Sequence, residues 1–231
     1  MKITEPLRLA VGSHQAGSGQ GCAMNVISWE SGDTEITDLP ACADRMLARI
    51  VQSVNDTWCN HTVTRLLCPE CSLEVLALAH RTVGTGTLPL SDLERRRVWV
   101  RVAVALVRAV SPAFASPHLR KTALDAVDVA DAWAHDPDGM DVESFLQTAR
   151  LASGFAGLDV AQIAVASSAL DADYHATEVW EWVRGYCAPD VRIHLAHRAI
   201  DTFEQWTGAR AVPTPAAVTS RAYERMTAVT V

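Results

Sequence analysis

The stretch TWCNHTVTRLLCPECSLEV brings Cys59, His61, Cys68 and Cys71 close together in the chain. Two thiols at the Cys-Pro-Glu-Cys spacing can hold one side of a tetrahedral ion, because the turn aims both sulfurs inward. The Cys-x-His pair ahead of them can supply the other two ligands. Thiolate and imidazole ligands in that geometry suit zinc best. A closed four-ligand site of this kind is structural rather than catalytic. Cys-x-His is tighter than the usual CxxC, so His80 or Cys42 stands as a substitute for one member. The competing account is plain packing, since a reduced cysteine behaves as a small hydrophobe.

A second chemistry is written at the N-terminal end. Gly17, Gly19 and Gly21 lead into Cys22, with His14 shortly before. A cysteine at a helix start feels the positive end of the helix dipole, which favours its thiolate. Successive glycine N–H groups can hold an oxyanion or a phosphate. The sharper reading is a nucleophile, Cys22, with His14 or another histidine as its base. Gln20-Gly21-Cys22-Ala23 loosely resembles the nucleophile region of papain-like thiol hydrolases but lacks their downstream aromatic pattern. The glycines match neither a P-loop nor GxGxxG. A flexible turn followed by a core cysteine is the simpler reading. A metal site shared by Cys22, Cys42, Asp38 and His14 is a further combination, of acceptable ligand types at no defensible spacing.

Other constellations lie later in the chain. His194, His197 and Asp201 share one helical face, yet no HExxH or ExxH accompanies them, so a polar surface stripe explains them. Arg97, Arg101 and Arg108 share a face, and Asp125, Asp128 and Asp131 recur on the next helix. Intramolecular pairing between antiparallel neighbours is the simplest account. An anion or nucleic-acid site at Arg97 and Arg101, within the Arg95–Arg108 stripe, is the sharper one. Trp180 and Trp182 cannot face the same side of one helix, so one of them belongs at a surface or interface.

The elements that must position these groups read as helices. Residues 7–11, LRLAV, are the one candidate strand. A helix follows Cys22 to about Ser31-Gly32. Asp38 is expected to cap the next, with Pro40 in its first turn and Met46, Leu47, Ile50, Val51, Val54 and Trp58 along one face. Another runs from about Cys68 to Val83 and stops at Gly84. Ser91-Asp-Leu-Glu94 is a capping box, and Ser116-Pro117 is an N-cap with proline at the first helical position. Asp136-Pro-Asp-Gly139 is a turn. Asp141 is expected to cap a helix to about Ser153, Asp159 a long one to about Trp182, and Pro189-Asp190 to open one ending near Gly208. A short helix follows Pro213 and Pro215. The expected fold is all-α, a single multi-helix domain with a glycine-rich N-terminal loop and a zinc-stabilised turn. Residues 1–84 form its cysteine-rich segment and 90–231 a helical bundle, with Gly84–Pro89 as the junction.

Composition narrows the function. The formal charge of −7 argues against nucleic acid or an anionic membrane as the overall partner. The N-terminus has no apolar signal-peptide core, and the longest apolar stretch, Val98 to Val110, is interrupted by Arg101 and Arg108, so no membrane span is expected. A cytoplasmic setting follows, where cysteines stay reduced and favour metal over disulfides.

The N-terminal residues also carry a resemblance. Gly12-Ser13-His14, then Cys22-Ala23-Met24, then Asp38-x-Pro40-x-Cys42, and finally Asn55-Asp56 together resemble a family of uncharacterised proteins from actinobacteria and their phages, and HRTVGTGT at His80 to Thr87 is similar too. The likeness covers about the first ninety residues. The strong preference for arginine, with lysine only at Lys2 and Lys121, fits a GC-rich genome of that kind. The resemblance implies an origin and no mechanism. With no complete catalytic set in view, the expected function is an intracellular, non-enzymatic binding or regulatory protein with one structural zinc. Its partner would be another protein, either a host protein or a second copy. A Cys22-dependent hydrolase or transferase and a nucleic-acid-associated protein are the alternatives.

Overall fold

The computed structural model describes residues 8–12, 20–60, 64–140, 147, 155–166 and 169–209. Among these the fold is all-α: eight α-helices and one 3-10 turn, with no strand. The expected strand at 7–11 is reduced, in its described part, to one isolated bridge between Ala10 and Leu66. No described helix is long and apolar enough to cross a membrane. The chain divides into two compact units between Leu88 and Pro89.

In the first unit, α1 spans Ala23–Ser31, α2 Arg45–Thr57 and α3 Pro69–Arg81. Helix α1 opens at Cys22, whose backbone N–H is taken by Asn25 Oδ1 at 3.1 Å, and closes at Gly32 in the left-handed region, where glycine is favoured. The expected apolar face of α2 is buried through Met46, Leu47, Ile50, Val51 and Val54. Its cap is Asp44, not Asp38: Asp44 Oδ1 accepts from Met46 N at 3.1 Å. Asp38 instead accepts from Asn25 Nδ2 at 2.8 Å and Gln52 Nε2 at 3.0 Å, tying α1 and α2 to the loop between them. The register of α2 is set from far along the chain. Ala43 bridges Val83, and the N–H groups of Gly84 and Gly86 both donate to Cys42 O, at 2.8 and 3.1 Å.

In the second unit, α4 (Asp92–Val110) packs against α5 (Pro117–His135), α6 (Phe155–Val165), α7 (Ala169–Gly185) and α8 (Pro189–Thr207). Trp99, Val102, Val104 and Leu106 of α4 are buried at its centre. Helix α4 opens with the capping box: Ser91 N donates to Glu94 Oε2 at 2.8 Å and Glu94 N to Ser91 Oγ at 3.3 Å. These bonds hold the Glu94 carboxyl below its usual range. A 3-10 turn, Ser111–Ala113, leads to Ser116, which caps α5 through Leu119 N. Helix α8 ends at Gly208, again left-handed.

One expected helix is two. Asp159 lies within α6 rather than at its cap, and α7 begins separately at Ala169. The end of α6 is held by Arg96, whose Nη1 donates to Ala164 O at 2.8 Å and Ala166 O at 2.9 Å. Terminal carbonyls of a helix need such donors. The helix expected from Asp141, apart from Gln147, which is helical, and the C-terminal one after Pro215 lie outside the described residues.

Candidate metal centre

Cys59 follows directly on the end of α2, and Cys68 is the N-cap of α3. Pro69 occupies the first helical position, where its fixed φ suits the turn and its missing N–H goes unnoticed. Cys71 therefore stands one turn into α3, beside Cys68. The residues just before Cys68 are strapped by the N-terminal segment. Leu67 N donates to Leu9 O at 2.8 Å and Val11 N to Arg65 O at 2.9 Å. Arg8 Nε donates to Leu67 O and Leu9 N to Ser72 Oγ, both at 2.9 Å.

The result is a sulfur cluster. The Sγ atoms of Cys59, Cys68 and Cys71 all lie within 4.8 Å of one another, the one grouping of three or more metal-ligating side chains found among the described residues. Two backbone N–H groups face sulfur: Cys68 N donates to Cys59 Sγ at 3.3 Å and Cys71 N to Cys68 Sγ at 3.4 Å. Cys71 is 2 % exposed and Cys68 9 %, with Cys59 more open. Burial pushes the Cys71 thiol well above its usual range, and the neighbouring sulfurs push it further. The physical reason is simple. Anionic sulfurs crowded in a poorly solvated place repel one another, and a cation removes that cost. The trio is thus close enough to bind a metal ion.

Of the other expected ligands, His61 lies outside the described residues. His80 does not join the cluster. Its Nδ1 is 2.9 Å from Leu76 O and its Nε2 2.8 Å from Glu30 Oε2, which links α3 to the end of α1. Cys42 Sγ sits 2.9 Å from Ser31 Oγ. Cys22 and Asp38 do meet, at 3.4 Å, but among the described residues no third metal-ligating side chain joins them.

Cys22 is fully buried. Burial, and then the Asp38 carboxylate beside it, push its thiol far above the ordinary range. A nucleophile needs the opposite, an accessible thiolate. Its neighbours are Asp38 and Asn25. Gly21 is buried as well, and its carbonyl accepts from Ala10 N at 3.0 Å. His14, Gly17 and Gly19 lie outside the described residues.

The arginine stripe is engaged within its own unit. Arg97 Nε donates to Ala134 O at 2.8 Å and its Nη2 to His135 O at 3.1 Å, closing the end of α5. Arg101 Nη1 meets Asp131 Oδ1 at 2.6 Å, and Arg108 spans Asp128 and Asp131 at 2.7 and 3.1 Å. The face of the Arg101 guanidinium lies 3.9 Å from the Trp206 ring, a cation–π contact. Trp180 is buried, while Trp182 and Tyr186 pack their edges around Phe114. His194 is exposed.

Sequence reasoning does not reach the carbonyl contacts of Arg96, the stacking of Trp206 on Arg101 or the pairing of Asp159 with His175, whose Oδ1 and Nδ1 are 2.9 Å apart. Each depends on a neighbour brought from elsewhere in the chain, and no local spacing announces it.

The chain matches no family model, no curated protein and no solved structure. The residues of the site therefore carry the functional reading by themselves.

Proposed function

We propose that this chain is a non-enzymatic binding protein whose N-terminal unit is cross-linked by one zinc ion. Cys59, Cys68 and Cys71 are three of its ligands and His61, two positions after Cys59, is the fourth. The observation that carries this reading is the convergence of three sulfurs within 4.8 Å at the junction of α2 and α3. Thiolates in a compact tetrahedral set favour zinc over harder ions. The ion fastens the end of α2 to the start of α3, so its binding free energy is also folding free energy. Such a site suits a scaffold rather than a reaction centre.

The non-enzymatic part rests on how the remaining reactive groups are used. Cys22 is buried against a carboxylate, and Arg97 closes a helix end. A reduced, zinc-holding trio fits a cytoplasmic protein. Its partner would be another protein, or a second copy of the chain, met through the helical surface.

Elemental mass spectrometry of protein purified without added metal or a histidine tag tests the reading. One zinc per chain, lost in Cys68→Ser, is expected. No metal in the wild type overturns the zinc site. Rapid alkylation of Cys22 by iodoacetamide in the folded protein overturns the non-enzymatic assignment.

A further inference from the structure

The three sulfurs differ in what else they can do. Cys59 is the most open of them, Cys68 is almost buried and Cys71 is buried. An oxidant arriving from solvent therefore meets Cys59 first. Of the two sulfurs within 4.8 Å of it, that of Cys68 belongs to the less deeply buried residue, and the Cys68 N–H also points at the Cys59 sulfur from 3.3 Å. Cys71 is the most deeply buried of the three, its backbone N–H turned to Cys68 Sγ and its thiol in contact with both other sulfurs.

We propose that the trio is also a peroxide-sensitive site, in which hydrogen peroxide joins Cys59 to Cys68 and expels the metal. The proposal rests on the zinc reading for the ion, and on burial and hydrogen bonding for the choice of pair. In the first step the Cys59 thiolate attacks the peroxide. An S–O bond forms, the O–O bond breaks, and the leaving hydroxide takes a proton to become water. In the second step the Cys68 thiolate attacks the Cys59 sulfenic sulfur. The S–S bond forms, the S–O bond breaks, and the second hydroxide takes a proton to become water. Two thiolates supply two electrons, and one peroxide becomes two waters. The ion has then lost two thiolate ligands, and the Cys71 sulfur and one further ligand cannot hold it.

The exchange has a structural meaning. Before oxidation the link between the end of α2 and the start of α3 is a metal; afterwards it is a covalent bond between Cys59 and Cys68. The connection survives, while Cys71 is left as a free buried thiol at the first turn of α3. A site built this way reports oxidant through the release of its ion and the freeing of one thiol, without unfolding the unit around it.

The test uses the full-length zinc-loaded protein and hydrogen peroxide itself. Zinc release is followed with a chromogenic chelator, and disulfides are located by peptide mapping without reduction. The expected result is about one zinc released per disulfide formed, a Cys59–Cys68 crosslink, and Cys71 alkylated only after denaturation. Zinc retained after Cys59 is oxidised, or a Cys68–Cys71 crosslink in place of Cys59–Cys68, overturns the proposal. If the purified protein carries no metal, the zinc reading fails separately. The same mapping on that protein still decides the pair, and its absence there overturns the pairing too.

Discussion

The backbone N–H of Cys68 points at the sulfur of Cys59 from 3.3 Å, across the gap between the end of α2 and the start of α3. That bond holds the Cys59 sulfur at the start of α3, and the sulfurs of Cys59, Cys68 and Cys71 lie within 4.8 Å of one another. With Cys71 fixed one turn into α3, the ligand set is largely organised by the fold. A site organised in this way does not bear the full ordering cost when the ion binds.

Removing the ion is expected to lower stability only where the trio is intact. A ligand present at about a hundred times its dissociation constant adds about 2.7 kcal/mol to folding. A strong chelator should therefore reduce the wild-type melting temperature by several degrees. In Cys68→Ser and Cys71→Ser, melting should start lower and not respond to the chelator. A chelator response of equal size in wild type and variants would place the ion elsewhere.

The two kinds of ion pair on α5 are expected to differ sharply. Asp131 faces the nearly buried Arg101 and also receives Arg108. Removing one partner of a buried pair leaves an uncompensated charge, so Asp131→Ala should cost about 3 kcal/mol or more. Asp125 pairs with Lys121 at the surface, and Asp125→Ala should stay within about 0.5 kcal/mol. Urea denaturation reads both. Equal costs would mean that the Arg101 pair contributes no more than a surface contact.

Gly86 is required by close approach rather than by its φ. A Cβ there would lie 2.4 Å from Ala41 O and 2.7 Å from Ala43 O, both backbone atoms on the segment that leads into α2. Gly86→Ala should destabilise by about 2 kcal/mol or more, as other overpacked sites do. Gly185 has open space around its Cβ position, and Gly185→Ala should be neutral or slightly stabilising. Thermal melts of the two variants make the comparison. A neutral Gly86→Ala would mean that the contact between the 82–86 turn and Cys42 is dispensable.

Cys22 predicts a pH dependence. Burial raises its pKa in the folded state, whereas in the unfolded chain a thiol titrates near ~8.5. Below that pH both states keep the proton and stability is flat with respect to this group. Above it only the unfolded chain loses the proton, so stability falls by up to about 1.4 kcal/mol per pH unit. Cys42 and Cys187 are also raised by burial and add to the slope. Cys22→Ala should therefore flatten, without abolishing, the decline of stability above about pH 8.5. Identical slopes in wild type and variant, measured by urea titration at several pH values, would contradict the buried, protonated state.

What was legible in the chain follows the range of the interactions. The starts of α4 and α5 were readable because Ser91, Glu94 and Ser116 satisfy neighbours three residues away. The end of α8 was readable because Gly208 marks it locally. The start of α2 was misplaced because Asp38 and Asp44 are equally good caps by type. What decides between them is the contact of Ala43 and Cys42 with the turn at 82–86. The break between α6 and α7 carries no proline or glycine, and the donor that satisfies the end of α6 comes from Arg96, 68 residues earlier. The sulfur site was legible because CPEC is local, while the approach of Cys59 to Cys68 needed the fold.

Zinc K-edge X-ray absorption of the protein as purified addresses the ligand set directly. The account predicts a first shell of three sulfurs at about 2.3 Å and one nitrogen at about 2.0 Å, with the sulfur contribution reduced in Cys59→Ser. A shell of light atoms alone, or a sample with no bound zinc, would contradict it.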